Sequence, residues 1–172
     1  NRGECAQACR MPYALLVDGT PRDMGSVRYL LSPQDLSAWD LVGDLASAGV
    51  TSLKIEGRLK SPEYVANVTA TYRRVLDQLA AGTTPALAVS ERRDLAQSFS
   101  RGLSHGFLDG TDHQKLVEGV SPKKRGVFLG RVAWVRPGDR TAGVALEVPV
   151  KRGDGVLFEG PDPEQGEEGG AI

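Results

Sequence analysis

Ala48-Gly49-Val50-Thr51-Ser52-Leu53-Lys54-Ile55-Glu56-Gly57-Arg58-Leu59-Lys60-Ser61-Pro62-Glu63-Tyr64-Val65 is the stretch whose reading decides the fold. Residues 50–55 are mostly β-branched or apolar and predict a strand. A short polar loop follows, and then a helix announces itself. Ser61 is the expected N-cap, Pro62 suits the first helical position, and Glu63 suits the positive end of the helix dipole. Val65, Val68, Tyr72, Val75, Leu76 and Leu79 recur at helical spacing, with Gly82 as the stop. A strand running through a short loop into an amphipathic helix is a βα unit.

Upstream, residues 13–17 and 27–31 are strand-like runs on either side of the turn-rich Asp18-Gly19-Thr20-Pro21. Ser32-Pro33-Gln34-Asp35 predicts a helix start, with Ser32 and Asp35 as a capping box, a rough stripe of Leu36, Trp39, Leu41, Val42 and Leu45, and Gly49 as its end. Downstream, a short helix is expected over 90–99, then a loop rich in Gly and His. From Gly126 the pattern changes to three expected strands, 127–135, 142–148 and 155–158, which make a small antiparallel β unit. The reading divides the chain into a βα region (1–82), a helical and loop connector (83–119) and a β unit (120–172) that reads as truncated. The chain opens at Asn1 with no Met and reads as a piece of a longer protein.

Composition narrows the function. The 172 residues are 40% hydrophobic and 25% charged, which is globular rather than disordered. No run approaches the roughly 18 apolar residues a membrane span needs, and Asn1-Arg2-Gly3-Glu4 is no signal peptide. A net charge of −1 gives no global pull toward nucleic acid. Two cysteines make no disulfide scaffold, which fits a reducing, cytoplasmic setting. The charge is segregated, however. Residues 123–152 carry eight bases against Asp139 and Glu147, and from Asp154 onward every charged residue is an acid. With Phe128 and Trp134 inside it, the basic stretch reads either as a nucleic-acid contact or as the solvated face of a β unit.

Three groups carry potential chemistry. Lys54, Glu56, Arg58 and Lys60 lie where a strand runs out toward a helix, the edge at which βα folds build active sites; the same residues also read as surface ion pairing. Cys5 and Cys9, four apart, would share a helix face and supply half of a four-ligand metal or cluster site, or be two ordinary cysteines. Arg2 and Arg10 flank them and can bind an anion, with Tyr64 read as a further substrate contact. His105 and His113 lie in polar loops and read as solvated. Neither belongs to a recognisable triad, and neither G-x-S-x-G nor H-E-x-x-H is present.

Together these stretches resemble a known family. Asn1-Arg2-Gly3-Glu4-Cys5-Ala6-Gln7-Ala8-Cys9-Arg10-Met11-Pro12-Tyr13 is similar to the N-R-G-x-C-x-Q-x-C-R-x-P-Y segment of the U32 peptidase family, the collagenase-like proteases. Tyr29-Leu30-Leu31-Ser32-Pro33-Gln34-Asp35-Leu36 and the 48–65 stretch resemble its following segments, and the likeness continues more weakly through Arg101-Gly102-Leu103-Ser104-His105-Gly106-Phe107. The resemblance implies an α/β fold: the C-terminal βα units of an incomplete TIM-like barrel, followed by a small antiparallel β-barrel-like unit. It implies either peptidase activity or hydroxylation of RNA pyrimidines, and in several relatives a [4Fe-4S] cluster on four cysteines. Cys5 and Cys9 would be two of those ligands, the others lying upstream; where some relatives carry a later cysteine, this chain has Ser37.

The expectation for the parent protein is therefore an RNA hydroxylase acting on ribosomal or transfer RNA, since cations and thiols are present and a nucleophile–base pair is not. A peptidase acting on protein substrates and a non-catalytic binding fragment are the alternatives. The isolated piece is expected to be inactive and, with an exposed barrel edge, prone to self-association.

Overall fold

A computed structural model of the chain describes residues 6–57, 60–98, 100–160 and 167–172. It divides into two compact units, Asn1–Gly126 and Val127–Ile172.

The first unit opens with a hairpin. Strands β1 (Leu15–Val17) and β2 (Thr20–Arg22) pair antiparallel across a two-residue turn. Asp18 and Gly19 both have positive φ, 49° and 79°, the type I′ geometry that an Asp-Gly pair favours. Thr20 and Pro21, expected in the turn, are already in the return strand. The strand expected over 27–31 is instead a loop. The Arg28 and Tyr29 amides both donate to the Gly119 carbonyl at 2.8 Å, and Tyr13 donates to the Arg28 carbonyl at 2.7 Å.

The helix expected from Ser32 is also corrected. Asp35–Leu36 form β3, bonded in parallel to β4 (Leu103–Ser104), and the helix begins only with a 3-10 turn at Trp39–Leu41 leading into α1 (Val42–Ser47). The reason is competition. Ser32 and Asp35, which would cap a helix locally, are taken by arginines distant in sequence, and charge-assisted bonds outweigh a neutral cap. Gly49, at φ 90°, closes the segment as expected.

Residues 50–55, expected as the clearest strand, carry no strand pairing. A parallel strand exists only through bonds to neighbours, and none of the described residues offers them. The segment lines an apolar cleft of about 250 Å³ with Leu45, Tyr72 and Leu76.

Helix α2 (Pro62–Ala80) forms as its local signals dictate. The Tyr64 amide donates to the Ser61 hydroxyl at 3.3 Å, and Gly82 takes φ 73° beyond the last turn. Helix α3 (Val89–Ser98) packs on it: the Asn67 amide donates to the Asp94 carbonyl and the Ser98 hydroxyl, and Arg74 pairs with Glu91. The core sits between these helices. Val42, Val75 (0% exposed), Leu87 and Leu95 form it, with Trp39, Val68, Tyr72, Leu76 and Leu79 packed around it.

The second unit holds two hairpins. β5 (Gly130–Arg136) pairs with β6 (Thr141–Leu146) through a bulge at Ala133, and β7 (Gly155–Phe158) pairs with β8 (Glu168–Ala171). The fourth strand was not expected because Gly169 and Gly170 disguise it. Across the described residues the sheets are all two-stranded ribbons.

Candidate functional site

Three separated segments of the first unit bring charge to one place. Asp35 is fixed by the β3–β4 bridge. Its carboxylate accepts from the Arg101 amide at 3.0 Å, from Arg101 Nε at 3.3 Å, and from a second guanidinium nitrogen. This fork-on-carboxylate geometry locks Arg101 in orientation. Arg10, ending the 3-10 turn Ala8–Arg10, donates to the buried Ser32 hydroxyl and to the Pro33 carbonyl at 2.9 Å. Both guanidiniums are therefore preorganised.

Lys60 and Tyr64 join them from the start of α2. Burial, then the Arg101 guanidinium, with Arg10 and Lys124 adding to it, hold the Lys60 ammonium below its ordinary value, while Asp35 partly offsets them. Burial and the Asp35 charge raise the Tyr64 phenol. Burial and Arg101 likewise lower Arg10. Lys124, whose Nζ donates to the Ser98 carbonyl at 3.0 Å, completes the set. Among the described residues, four cations thus stand within electrostatic reach of one another around one carboxylate. Partly desolvated like charges repel, and an anion relieves them. The arrangement can bind a phosphate or carboxylate, and a lysine with a lowered pKa beside it can carry a proton.

The other residues singled out in the sequence stand apart. Lys54 and Glu56 pair with each other at 2.8 Å, with side chains 85% and 73% exposed. That hydrogen bond raises the Lys54 pKa and lowers that of Glu56. Gly57 serves packing rather than an unusual backbone angle: a Cβ there would come within 3.0 Å of Val65 in α2. Arg2, Cys5 and Arg58 lie outside the described residues. Cys9 is exposed and free, and no three His, Cys, Asp or Glu side chains among the described residues are grouped to hold a metal. One thiol is a quarter of what a [4Fe-4S] cluster requires, so these residues alone do not make its site.

His105, read from sequence as solvated, is bracketed instead. Its Nδ1 lies 2.7 Å from Asp109 and its Nε2 3.1 Å from Asp40. The Asp109 hydrogen bond, with Asp40 behind it, raises the imidazole pKa against the effect of burial. Both nitrogens face carboxylates, an arrangement that favours the doubly protonated ring. It closes one wall of a cleft of about 470 Å³ lined also by Trp39, Arg92 and Leu95.

Sequence reading missed Asp35, Arg101 and Lys124 as members of the cluster. Asp35 and Arg101 are 66 residues apart, and only the weaker continuation of the family likeness through Arg101 pointed there.

Comparison with known proteins agrees with the segments that build this cluster. The model of peptidase family U32 matches residues 1–118. The chain is 36% identical over 171 residues to the 23S rRNA 5-hydroxycytidine C2501 synthase of Escherichia coli, covering 91% of this chain and 24% of that protein. It is 33% identical over 172 residues to tRNA hydroxylation protein P1 of Bacillus subtilis, covering 95% of this chain and 41% of the relative. To a collagenase of Porphyromonas gingivalis it is 32% identical over 172 residues, covering 94% and 40%. It therefore spans between about a quarter and two fifths of the length of these relatives. No solved structure matches. With the family model matched over residues 1–118, this chain belongs to peptidase family U32.

Proposed function

We propose that the protein acts in the hydroxylation of pyrimidines in ribosomal or transfer RNA, and that Arg10, Lys60, Arg101 and Lys124 hold a phosphate of that RNA beside Tyr64. The observation that carries this reading is the gathering of Arg10, Lys60, Arg101 and Lys124 around the carboxylate of Asp35. Relatives named for rRNA and tRNA hydroxylation support the RNA assignment. In the whole protein these residues would sit at the mouth of a TIM-like barrel to which this chain contributes βα units, with Lys54, Glu56 and Arg58 at the same strand exit. Cys5 and Cys9 would supply two ligands of an iron–sulfur cluster, whose contribution is one-electron chemistry.

The geometry of His105 does not suit it to serve as the general base of a peptidase. A general base needs a ring nitrogen free to take a nucleophile's proton, and both of its nitrogens are committed to carboxylates. Nucleoside mass spectrometry of RNA from a gene-deletion strain tests the proposal. Loss of a hydroxylated pyrimidine, restored by the intact gene but not by its Arg101→Gln version, is the expected outcome. Unchanged RNA, with casein or gelatin cleaved by the full-length protein, would overturn it.

A further inference from the structure

The β5–β6 hairpin and the segment leading into it carry aromatic rings that the unit does not bury. Phe128 is 57% and Trp134 47% exposed. Each is paired with an arginine: the Arg131 guanidinium lies 5.6 Å from the Phe128 ring centre, and that of Arg136 4.7 Å from the Trp134 ring centre. Both distances are within cation–π range. The indole is also held from the opposite strand. Trp134 is registered against Gly143, and a Cβ on that glycine would overlap the ring. The side chain therefore lies across bare backbone. The hairpin itself carries Arg131, Arg136 and Arg140 against Asp139, with Asp139 3.9 Å from Arg136 as an exposed, weak pair.

We infer that this hairpin is a stacking platform for single-stranded RNA, with Phe128 and Trp134 taking base faces and Arg131 and Arg136 meeting the phosphates. Aromatic rings alternating with cations match an oligonucleotide, which presents flat faces and a charged backbone at a regular interval. An apolar protein surface would instead strip water from both guanidiniums and return no counter-charge. The inference rests on the RNA reading above and adds a second contact, remote in sequence from the cluster around Asp35.

The test uses full-length protein and a fluorescein-labelled twelve-residue oligouridylate followed by anisotropy across a salt series. Trp134→Ala and Phe128→Ala are each expected to weaken binding about ten-fold. The double variant Arg131→Gln/Arg136→Gln leaves the apolar contacts in place and is expected to flatten the salt dependence by roughly one phosphate contact per arginine removed. Wild-type binding that all three variants match would overturn the platform and leave the RNA function standing. A wild-type protein that does not bind the oligonucleotide would overturn both. Shielding of Trp134 from acrylamide before RNA is added would show that another part of the protein, or a second copy, already covers the hairpin, and would also overturn the inference.

Discussion

At Asp35 one carboxylate does two things that pull in opposite directions. It orients Arg101 through two side-chain bonds and one amide bond, and it cancels part of the charge that makes the cluster attractive to an anion. Asp35→Asn should therefore cost about 2 kcal/mol of stability in urea unfolding, since the pair is mostly buried. The same variant should bind inorganic phosphate more tightly, read by calorimetry. Lys60 provides a second measure. Its pKa is lowered in the folded protein, so the unfolded chain holds the proton over the interval up to the ordinary value of 10.5. Stability should rise with pH through that interval, and Lys60→Met should abolish the rise. His105 behaves in the opposite sense. Its raised pKa contributes stability that is complete below the ordinary 6.5 and is lost as pH climbs through the folded value. Imidazole NMR titration should show Asp109→Asn lowering that pKa more than Asp40→Asn does.

Among the elements, legibility followed the range of the forces involved. Helix α2 was readable because Ser61, Pro62, the apolar spacing and Gly82 all act within a few residues of one another. Ser61→Ala should cost about 1 kcal/mol through loss of the Tyr64 amide's partner, and Val75→Ala about 2 kcal/mol through a cavity at the helix interface, both measured by denaturant midpoint. Residues 50–55 have strand composition but no strand pairing, because a strand is a property of two segments and composition describes one. Ser32 and Asp35 failed as a capping box for a related reason: Arg10 and Arg101, invisible to any local window, claimed them. The Asp18-Gly19 turn was seen, but its two-residue length was not, so β2 began sooner than composition suggested.

At the scale of the whole chain, the anion cluster and the aromatic hairpin belong to different units, whose boundary at Gly126 falls in a stretch, residues 120–129, that carries neither helix nor strand. Lys123, Lys124 and Arg125 fall in this joint, and brief trypsin treatment should cut there before it cuts within α2. The family model ends at residue 118, whereas the likeness to individual relatives runs over 171–172 residues and takes in the hairpin. The cluster was half legible: Arg10, Lys60 and Tyr64 could be picked from their motifs, whereas Asp35, Arg101 and Lys124 enter only when folding closes long loops.

Gly143 gives the hairpin a particular evolutionary exposure. Every missense change away from a glycine codon installs a Cβ, and at this position that carbon would overlap the indole of its cross-strand neighbour. A substitution on β6 would thus be felt on β5, and drift at one position would be policed by the ring at the other.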